Sequence, residues 1–579
     1  MLWACFVLFT ARWIWVAGLG DYGWNYETGM RVLRGQWPYR DFISTLPPLT
    51  IYTIVPFLKL AQGSLWAWAV HVHLWWLASL WVGWRLLVAL KVGRELQTAA
   101  IFLAACLSFP AASHMHAYNY AATTFFGLTA IFLNRREFLE WRAPLAAGLC
   151  TGLCVLAKQN VGCAVFLMGC LTLAVLTRTP SKALRAFAPF LLGFVLSLGV
   201  PLLIFFYHAG AREVMTQMFL DAGQAKGGPL GMLTKMLPIL YFEPTIPRRH
   251  FWAIFASGSV VLFFVAWSGW FLWKRQKTQD HLVAGKNLVT ASSVARVWLA
   301  FGFVALLAIC SIPNVPVVKQ ALNTVTPSWH ASCFAILMYV LYCATTSFCV
   351  IAALRALADK DGYVLVICGW ELALVCSFAL SQVVYLTFAA PFAVPLAFCL
   401  FSHFGLRAHI LRWSPPLACV GLVLFTGLAG PYYPPSFQRL VKLPNKTPFA
   451  GLYAAEWYEH YNRAVLDNVS PLIRGKRTLW LCFGGPHLAF GGEPVRDVPL
   501  LFQDTYNPRV EGLFIESWTK QPPDFIVYRP FPHAPGSTQF TKQSLDRWLA
   551  QNFETVWSDP TIGTSLWKPR STNAVSSVH

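Results

Sequence analysis

The sequence predicts a polytopic α-helical membrane protein with about thirteen transmembrane helices and a small α/β domain at its C-terminal end. Three observations lead there. Of 579 residues, 56% are hydrophobic and 12% are charged, whereas a soluble domain carries about 25% charged residues. The apolar residues fall in repeated runs, many close to the roughly 20 residues that cross a bilayer. Charge is uneven as well: the formal net charge is +20, yet residues 432–579 are nearly balanced, with 15 basic and 12 acidic side chains. The excess sits in short loops between apolar runs. That is a topology signal and argues against a nucleic-acid partner.

Spans are expected near residues 2–19, 65–89, 97–113, 118–133, 143–158, 160–177, 184–206, 251–273, 296–312, 330–354, 363–381, 383–403 and 413–431. Trp66, Trp68, Trp75 and Trp76 fall where an interfacial aromatic belt would place them. Every second loop is basic: Lys91/Arg94, Arg135/Arg136/Arg142, Arg178/Lys182/Arg185, Lys274/Arg275/Lys277/Lys286, Arg355/Lys360 and Arg407/Arg412. Under the positive-inside rule these loops face the cytoplasm, and an odd number of spans then puts the C-terminal domain on the extracytoplasmic side. The expected location is a multi-pass protein of a bacterial inner or plasma membrane. The chain divides into a membrane domain, 1–431, and an extracytoplasmic domain, 432–579.

Two outer loops are long, about 20–64 and 207–250. The first holds Tyr22, Trp24, Tyr26, Trp37, Tyr39 and Phe42, enough aromatic surface to pack. After Pro47–Pro48 an apolar stretch from Leu49 to Leu60 is too short to span and reads as an interfacial helix. In the tail, 478–483, 525–528, 554–557 and 564–567 have strand composition, and 500–518 and 543–552 have room for helices. Only Cys482 of the 15 cysteines lies outside the membrane region, so no disulfide framework is expected. Cys150 and Cys154 share a helix face and read as packing residues.

The strongest local signal comes directly after the first span: Gly20-Asp21-Tyr22-Gly23-Trp24-Asn25-Tyr26-Glu27, then Gly35-Gln36-Trp37-Pro38-Tyr39-Arg40-Asp41-Phe42, then Leu46-Pro47-Pro48-Leu49. A carboxylate at the membrane–water boundary is partly desolvated, which raises its basicity and suits general-base chemistry. The alternative is that Asp21 ends a span and caps the next segment. Glu371 and Arg12 lie within expected spans, where an ionisable side chain is a functional candidate or half of a structural pair. His71/His73 and His114/His116 are spaced i, i+2, which does not put two ligands on one helix face; no cofactor is expected, and a divalent metal would need His114 and His116 to hold it from an extended loop.

The arrangement resembles the GT-C superfamily of integral membrane glycosyltransferases, which includes protein O-mannosyltransferases and the lipid A aminoarabinose transferase. The resemblance is carried by Asp21 after the first span, by Gly35, Pro38, Tyr39, Asp41 and Pro47–Pro48 in a G-x-x-P-Y-x-D segment with its Pro-rich turn, by the Gly148/Gly152 run ending at Lys158, by the stretch from Tyr385 to Pro395, and by Gly484-Gly485-Pro486 and Pro523-Asp524-Phe525 in the tail. It implies transfer of a sugar from a polyprenyl phosphate to an acceptor hydroxyl of a lipid, glycan or protein on the outer face, with inversion. On that basis Asp21 is the expected base with Asp41 beside it. Arg40, Lys158, Arg248, Arg249 and His250 are the expected donor-phosphate ligands, and His116, Asn119 and Tyr385 are further site candidates. Many members carry Asp-Glu, or a second acid in the next outer loop. Here Tyr22 follows Asp21, and that loop reads Ser113-His114-Met115-His116-Ala117-Tyr118-Asn119-Tyr120, with Asn119 or a His where the acid would stand, which counts against paired carboxylates or a carboxylate-held metal. The competing function is a transporter or lipid flippase, which should show two matching halves with broken helices; neither is visible in the sequence.

Overall fold

The computed structural model describes residues 16–17, 21–112, 117–134, 141–177, 180–221, 345–346, 348–359, 361–379, 386–403, 440–443, 448–482, 487–496, 508–529 and 543–570. The expected spans at 251–273, 296–312 and 413–431 lie outside these residues.

Where the chain is described, long apolar runs become helices: α1 (Asp21–Leu33), α2 (Leu49–Leu60), α3 (Trp66–Ala89), α4 (Arg94–Ala112), α5 (Ala117–Asn134), α6 (Arg142–Ala157), α7 (Gln159–Thr177), α8 (Pro180–Ala209), α9 (Phe348–Ala358), α10 (Gly362–Ala379) and α11 (Leu386–His403). By length and composition, Trp66–Ala89 and Leu184–Ala209 are long and apolar enough to cross a membrane, and Arg142–Ala157, Gln159–Val175, Gly362–Phe378 and Thr387–Leu400 are shorter apolar helices. Helix α8 turns Leu192, Val195, Leu196, Val200, Leu203 and Ile204 outward, an apolar face suited to lipid rather than water. From α3 to α8 and from α9 to α11 the connections are short, so neighbouring helices run antiparallel. Lys91, Arg94, Arg142 and Arg355 collect at one end of the bundle, and the α6–α7 junction and the start of α5 lie at the other. At the basic end His403 pairs with Asp361 (3.4 Å) and closes α11 against α10.

The expected interfacial segment is helix α2 over the same residues, with Thr50, Ile51, Ile54 and Leu58 buried. One element is added to the sequence reading and one expectation is corrected. The first outer loop opens with a helix, 21–33 (α1). Its glycines and aromatics obscure a helical pattern, and packing against α2 supplies the stability that propensity does not. The first span does not run as helix to residue 19, because Val16–Ala17 (β1) is extended and pairs in parallel with Tyr453–Ala455 (β3). The sheet β1–β3–β2, completed by Leu440–Lys442 (β2), therefore ties the start of the chain to its tail.

The rest of the tail is an α/β unit. Helix α12 (Glu456–Ala464) leads to a five-stranded sheet of order β5–β4–β6–β8–β7, built from Arg477–Leu481 (β4), Glu493–Pro494 (β5), Phe525–Tyr528 (β6), Phe553–Asp559 (β7) and Thr564–Pro569 (β8). Strands β4, β5 and β6 are parallel and β8 is antiparallel to both neighbours. All four expected strands are present, as is helix 543–552 (α14); of the other expected helix, 500–518, the described part is Pro508–Lys520 (α13). Leu479, Leu481, Ile526, Phe514, Trp518, Trp548 and Phe553 form the core of this unit, and Ile43 of the first outer loop is buried among them. The loop is thus part of the tail's hydrophobic core as well as of the helical bundle.

The Gly148/Gly152 run is a packing device. A Cβ at Gly148 would lie 1.9 Å from the carbonyl oxygen of Phe190, and one at Gly193 would lie 2.2 Å from that of Leu145. Small residues let α6 and α8 cross backbone to backbone, as in other small-residue helix interfaces. This crossing fixes the end of α6, where Lys158 sits. Gly148→Leu is expected to separate the two helices and lower the thermal unfolding temperature of the protein in lipid, whereas Leu149→Ala on a more exposed face should not.

Candidate functional site

Between α6 and α7 the chain leaves the helix for one residue. Lys158 has φ −157° and ψ 110°, and its backbone N–H still bonds Cys154 O. The break turns a lysine that a continuous helix would aim along the bundle into the polar end of the domain. Its side chain is 3% exposed. The ammonium donates to Asn119 Oδ1 at 2.7 Å and lies 4.7 Å from the Phe378 ring centre and 5.3 Å from that of Tyr118, within cation–π range. Asn119 sits at the start of α5, fully buried, and its Nδ2 has no hydrogen-bond partner among the described residues. Lysine and amide together present N–H donors at one buried point, the requirement for holding an anionic oxygen.

Two amide side chains hold the first outer loop at this end of the bundle, and a third ties in α10. Gln159, next to Lys158, donates to Thr45 O (3.0 Å) and Met218 O (2.6 Å). Gln217 accepts from Ser44 N (2.9 Å) and donates to Tyr39 O (2.9 Å) and Glu213 Oε1 (2.8 Å). Asn160 donates to Ser377 O (2.6 Å), which brings in the end of α10. Sequence reasoning missed Gln159 and Gln217. Their partners are backbone carbonyls far along the chain, and no motif announces such pairs.

Within the loop, Asp41 accepts from Trp37 N (2.7 Å) and forms a two-pronged pair with Arg40 at 2.8 Å. Partial burial alone would raise the Asp41 carboxyl, but Arg40 and the Trp37 N–H outweigh it and hold it below the usual carboxylate range. Both carboxylate oxygens are engaged, and the Arg40 charge is met locally. Tyr39 between them is fully buried at positive φ (71°), its hydroxyl donating to Leu46 O (3.0 Å). A tyrosine held in the left-handed region marks a loop whose shape is imposed by its surroundings. Trp37 stacks on His208 with ring centres 3.7 Å apart.

Asp21 opens α1. One turn on, Trp24 is buried against Tyr118 and Leu46, and the Tyr118 ring is one of those beneath Lys158. The structure thus gathers the start of α1, the start of α5, Lys158 and the 39–46 loop. Further along α1, Glu27 and Arg31 form a buried pair (3.2 Å), 1% and 2% exposed. Glu27 Oε2 accepts from Leu488 N (2.8 Å) and Arg31 donates to Val495 O (3.2 Å), so the pair reaches into the tail. Asn25, 1% exposed, has neither Nδ2 nor Oδ1 partnered among the described residues.

Arg248, Arg249, His250, His116, Tyr385 and Arg12 lie outside the described residues. His71 Nε2 accepts from Trp75 Nε1 (3.1 Å), and His73 Nδ1 donates to Ala69 O (2.6 Å), local contacts of a packed helix. No set of three His, Cys, Asp or Glu side chains is placed to hold a metal among the described residues. Glu371 is buried in α10, away from the polar end.

No protein-family model matches the chain, and no curated protein matches it. Among solved structures the chain is similar to ArnT from Cupriavidus metallidurans bound to undecaprenyl phosphate, at 13% identity and a TM-score of 0.40 over 98% of this chain and 97% of that one. It is also similar to the apo state of the same protein, at 12% identity and a TM-score of 0.36 over 97% of each chain.

Proposed function

We propose that the protein is a membrane glycosyltransferase that moves a sugar from a polyprenyl-phosphate donor to an acceptor hydroxyl on the outer face, with inversion. The observation that carries this reading is the Lys158–Asn119 pair: a buried cation and an amide N–H without a partner among the described residues, at the polar end of an apolar bundle. An apolar bundle with a cationic terminus matches an amphiphile whose tail is hydrocarbon and whose head is a phosphate. The 15% aromatic content and the outward apolar face of α8 support a bilayer setting.

In this mechanism the acceptor hydroxyl attacks the anomeric carbon of the sugar and gives its proton to Asp21. The C–O bond to the phosphate breaks on the opposite side and its electron pair stays on the phosphate. Lys158 and Asn119 donate to the phosphate oxygens as that charge develops. Asp41 and Arg40 shape the adjoining loop. Arg248, Arg249 and His250 are proposed as further cations for the lipid phosphate, and the tail is proposed to lie outside the cytoplasm.

The test is Lys158. Lys158→Ala should cut transfer from a lipid-linked sugar about 10²- to 10³-fold, the usual cost of removing one charge-stabilising donor, while Lys158→Arg retains more of it because charge is what the leaving phosphate needs. Equal, full activity in both variants, measured with purified protein in lipid, removes Lys158 from the site and with it this function.

A further inference from the structure

Two buried amides at the polar end lack partners in chemically different ways. Asn119 uses its carbonyl oxygen on Lys158 and has only N–H left to offer. A phosphate oxygen at neutral pH, which accepts and does not donate, satisfies that. Asn25 has both its N–H₂ and its carbonyl oxygen unpartnered among the described residues, at 1% exposure. No phosphate diester can satisfy the Asn25 Oδ1, because it needs a donor. A group that both donates and accepts is required, and a sugar hydroxyl is such a group. The neighbouring hydroxyl does not serve: Thr28 Oγ1 is directed at the backbone oxygens of Trp24 (3.0 Å) and Asn25 (3.3 Å).

The position fits this division. Asn25 lies four residues after Asp21 on α1, so the two positions share a helix face one turn apart. Trp24, beside Asn25, packs on the tyrosine beneath Lys158. Asn25 therefore lies one helical turn from the proposed base and next in sequence to the residue that packs on Tyr118.

We propose that Asn25 binds hydroxyl groups of the transferred sugar, so that donor recognition is split between a phosphate half-site at Lys158–Asn119 and a sugar half-site at Asn25. This rests on the glycosyltransferase reading of the protein. The split makes separate demands on the two halves of the donor, and they can be measured apart.

The experiment uses the full chain in lipid nanodiscs and three probes: bare polyprenyl phosphate, and the same lipid carrying one hexose or one pentose. The wild type should bind at least one sugar-bearing probe more tightly than the bare lipid. Asn25→Ala should leave the bare lipid unchanged and weaken the sugar-bearing probe about 10- to 100-fold. Asn25→Ser, which keeps a small donor–acceptor group, should fall between and carries the test if the alanine variant does not fold. Parallel loss of both probes by a folded Asn25 variant overturns the inference, as does wild-type binding of both. A wild type that does not distinguish sugar-bearing from bare lipid overturns it too. Lys158→Ala is read alongside. It should weaken all probes, and unchanged binding there would sink the phosphate site while leaving the Asn25 comparison intact.

Discussion

Replacing Asp21 by asparagine is expected to lower sugar transfer about 10²- to 10⁴-fold, roughly 3–5 kcal/mol of barrier, with little change in stability. The contrast is sharp because asparagine caps a helix as well as aspartate does. Asp21 opens α1, so a capping role would survive the change and a proton-accepting role would not. Asp41→Asn is the control. Its carboxylate holds Arg40 and the Trp37 N–H, so its loss should cost less activity and show partly as reduced folding. The same contacts give that loop a pH dependence. The folded-state pKa of Asp41 lies below its unfolded value, so this contribution to stability is present above the ordinary carboxylate range and fades as pH falls through the lowered pKa. The measurement is transfer from a lipid-linked sugar by purified protein, with folding checked separately. Wild-type transfer by Asp21→Asn would falsify the assignment of the base.

The second large effect is on the fold. Arg31→Ala should destabilise the protein by about 3–5 kcal/mol, because it breaks a buried ion pair by removing one partner. Glu27→Gln should cost less, since its amide oxygen can still accept from Leu488 N. Replacing both residues by leucine should recover part of the loss, as buried ion pairs often exchange for apolar pairs at little cost. Thermal unfolding in lipid reads the size, and limited proteolysis reads whether the tail is released first. If Arg31→Ala unfolds at the wild-type temperature with an equally protected tail, the pair is not what docks the tail to α1.

The helices and strands that the sequence made legible are those with a one-dimensional signal. Runs such as Trp66–Ala89 and Phe525–Tyr528 declare themselves by apolar length or β-branched and aromatic content. Helix α1 was hidden because Gly23, Gly29 and its aromatics suit a packed loop equally well, and because its partners are distant in sequence. Lys158 and Asn119 were legible separately, as residue types in suggestive places. Their 2.7 Å contact was not, since it depends on how α5 and α6 pack. The same holds for Gln159 and Gln217, whose partners are main-chain atoms and leave no compositional trace. The double role of Ile43, in the outer loop by sequence and in the tail's core by packing, is likewise a three-dimensional fact.

The bonds from Arg31 to Val495 and from Leu488 to Glu27 join residues 464 and 461 positions apart, and Val16 pairs with Tyr453. During synthesis the N-terminal segment emerges first, yet its partners are made last. Helix α1 with its buried charges must therefore wait, incompletely satisfied, while the intervening chain is inserted. Closure over so long a separation is slow relative to local helix formation. A ribosome that stalls before residue 440, or a truncation there, would leave the segment carrying Asp21 without its clamp. The clamp on the segment carrying Asp21 is thus complete only on chains made past Val495.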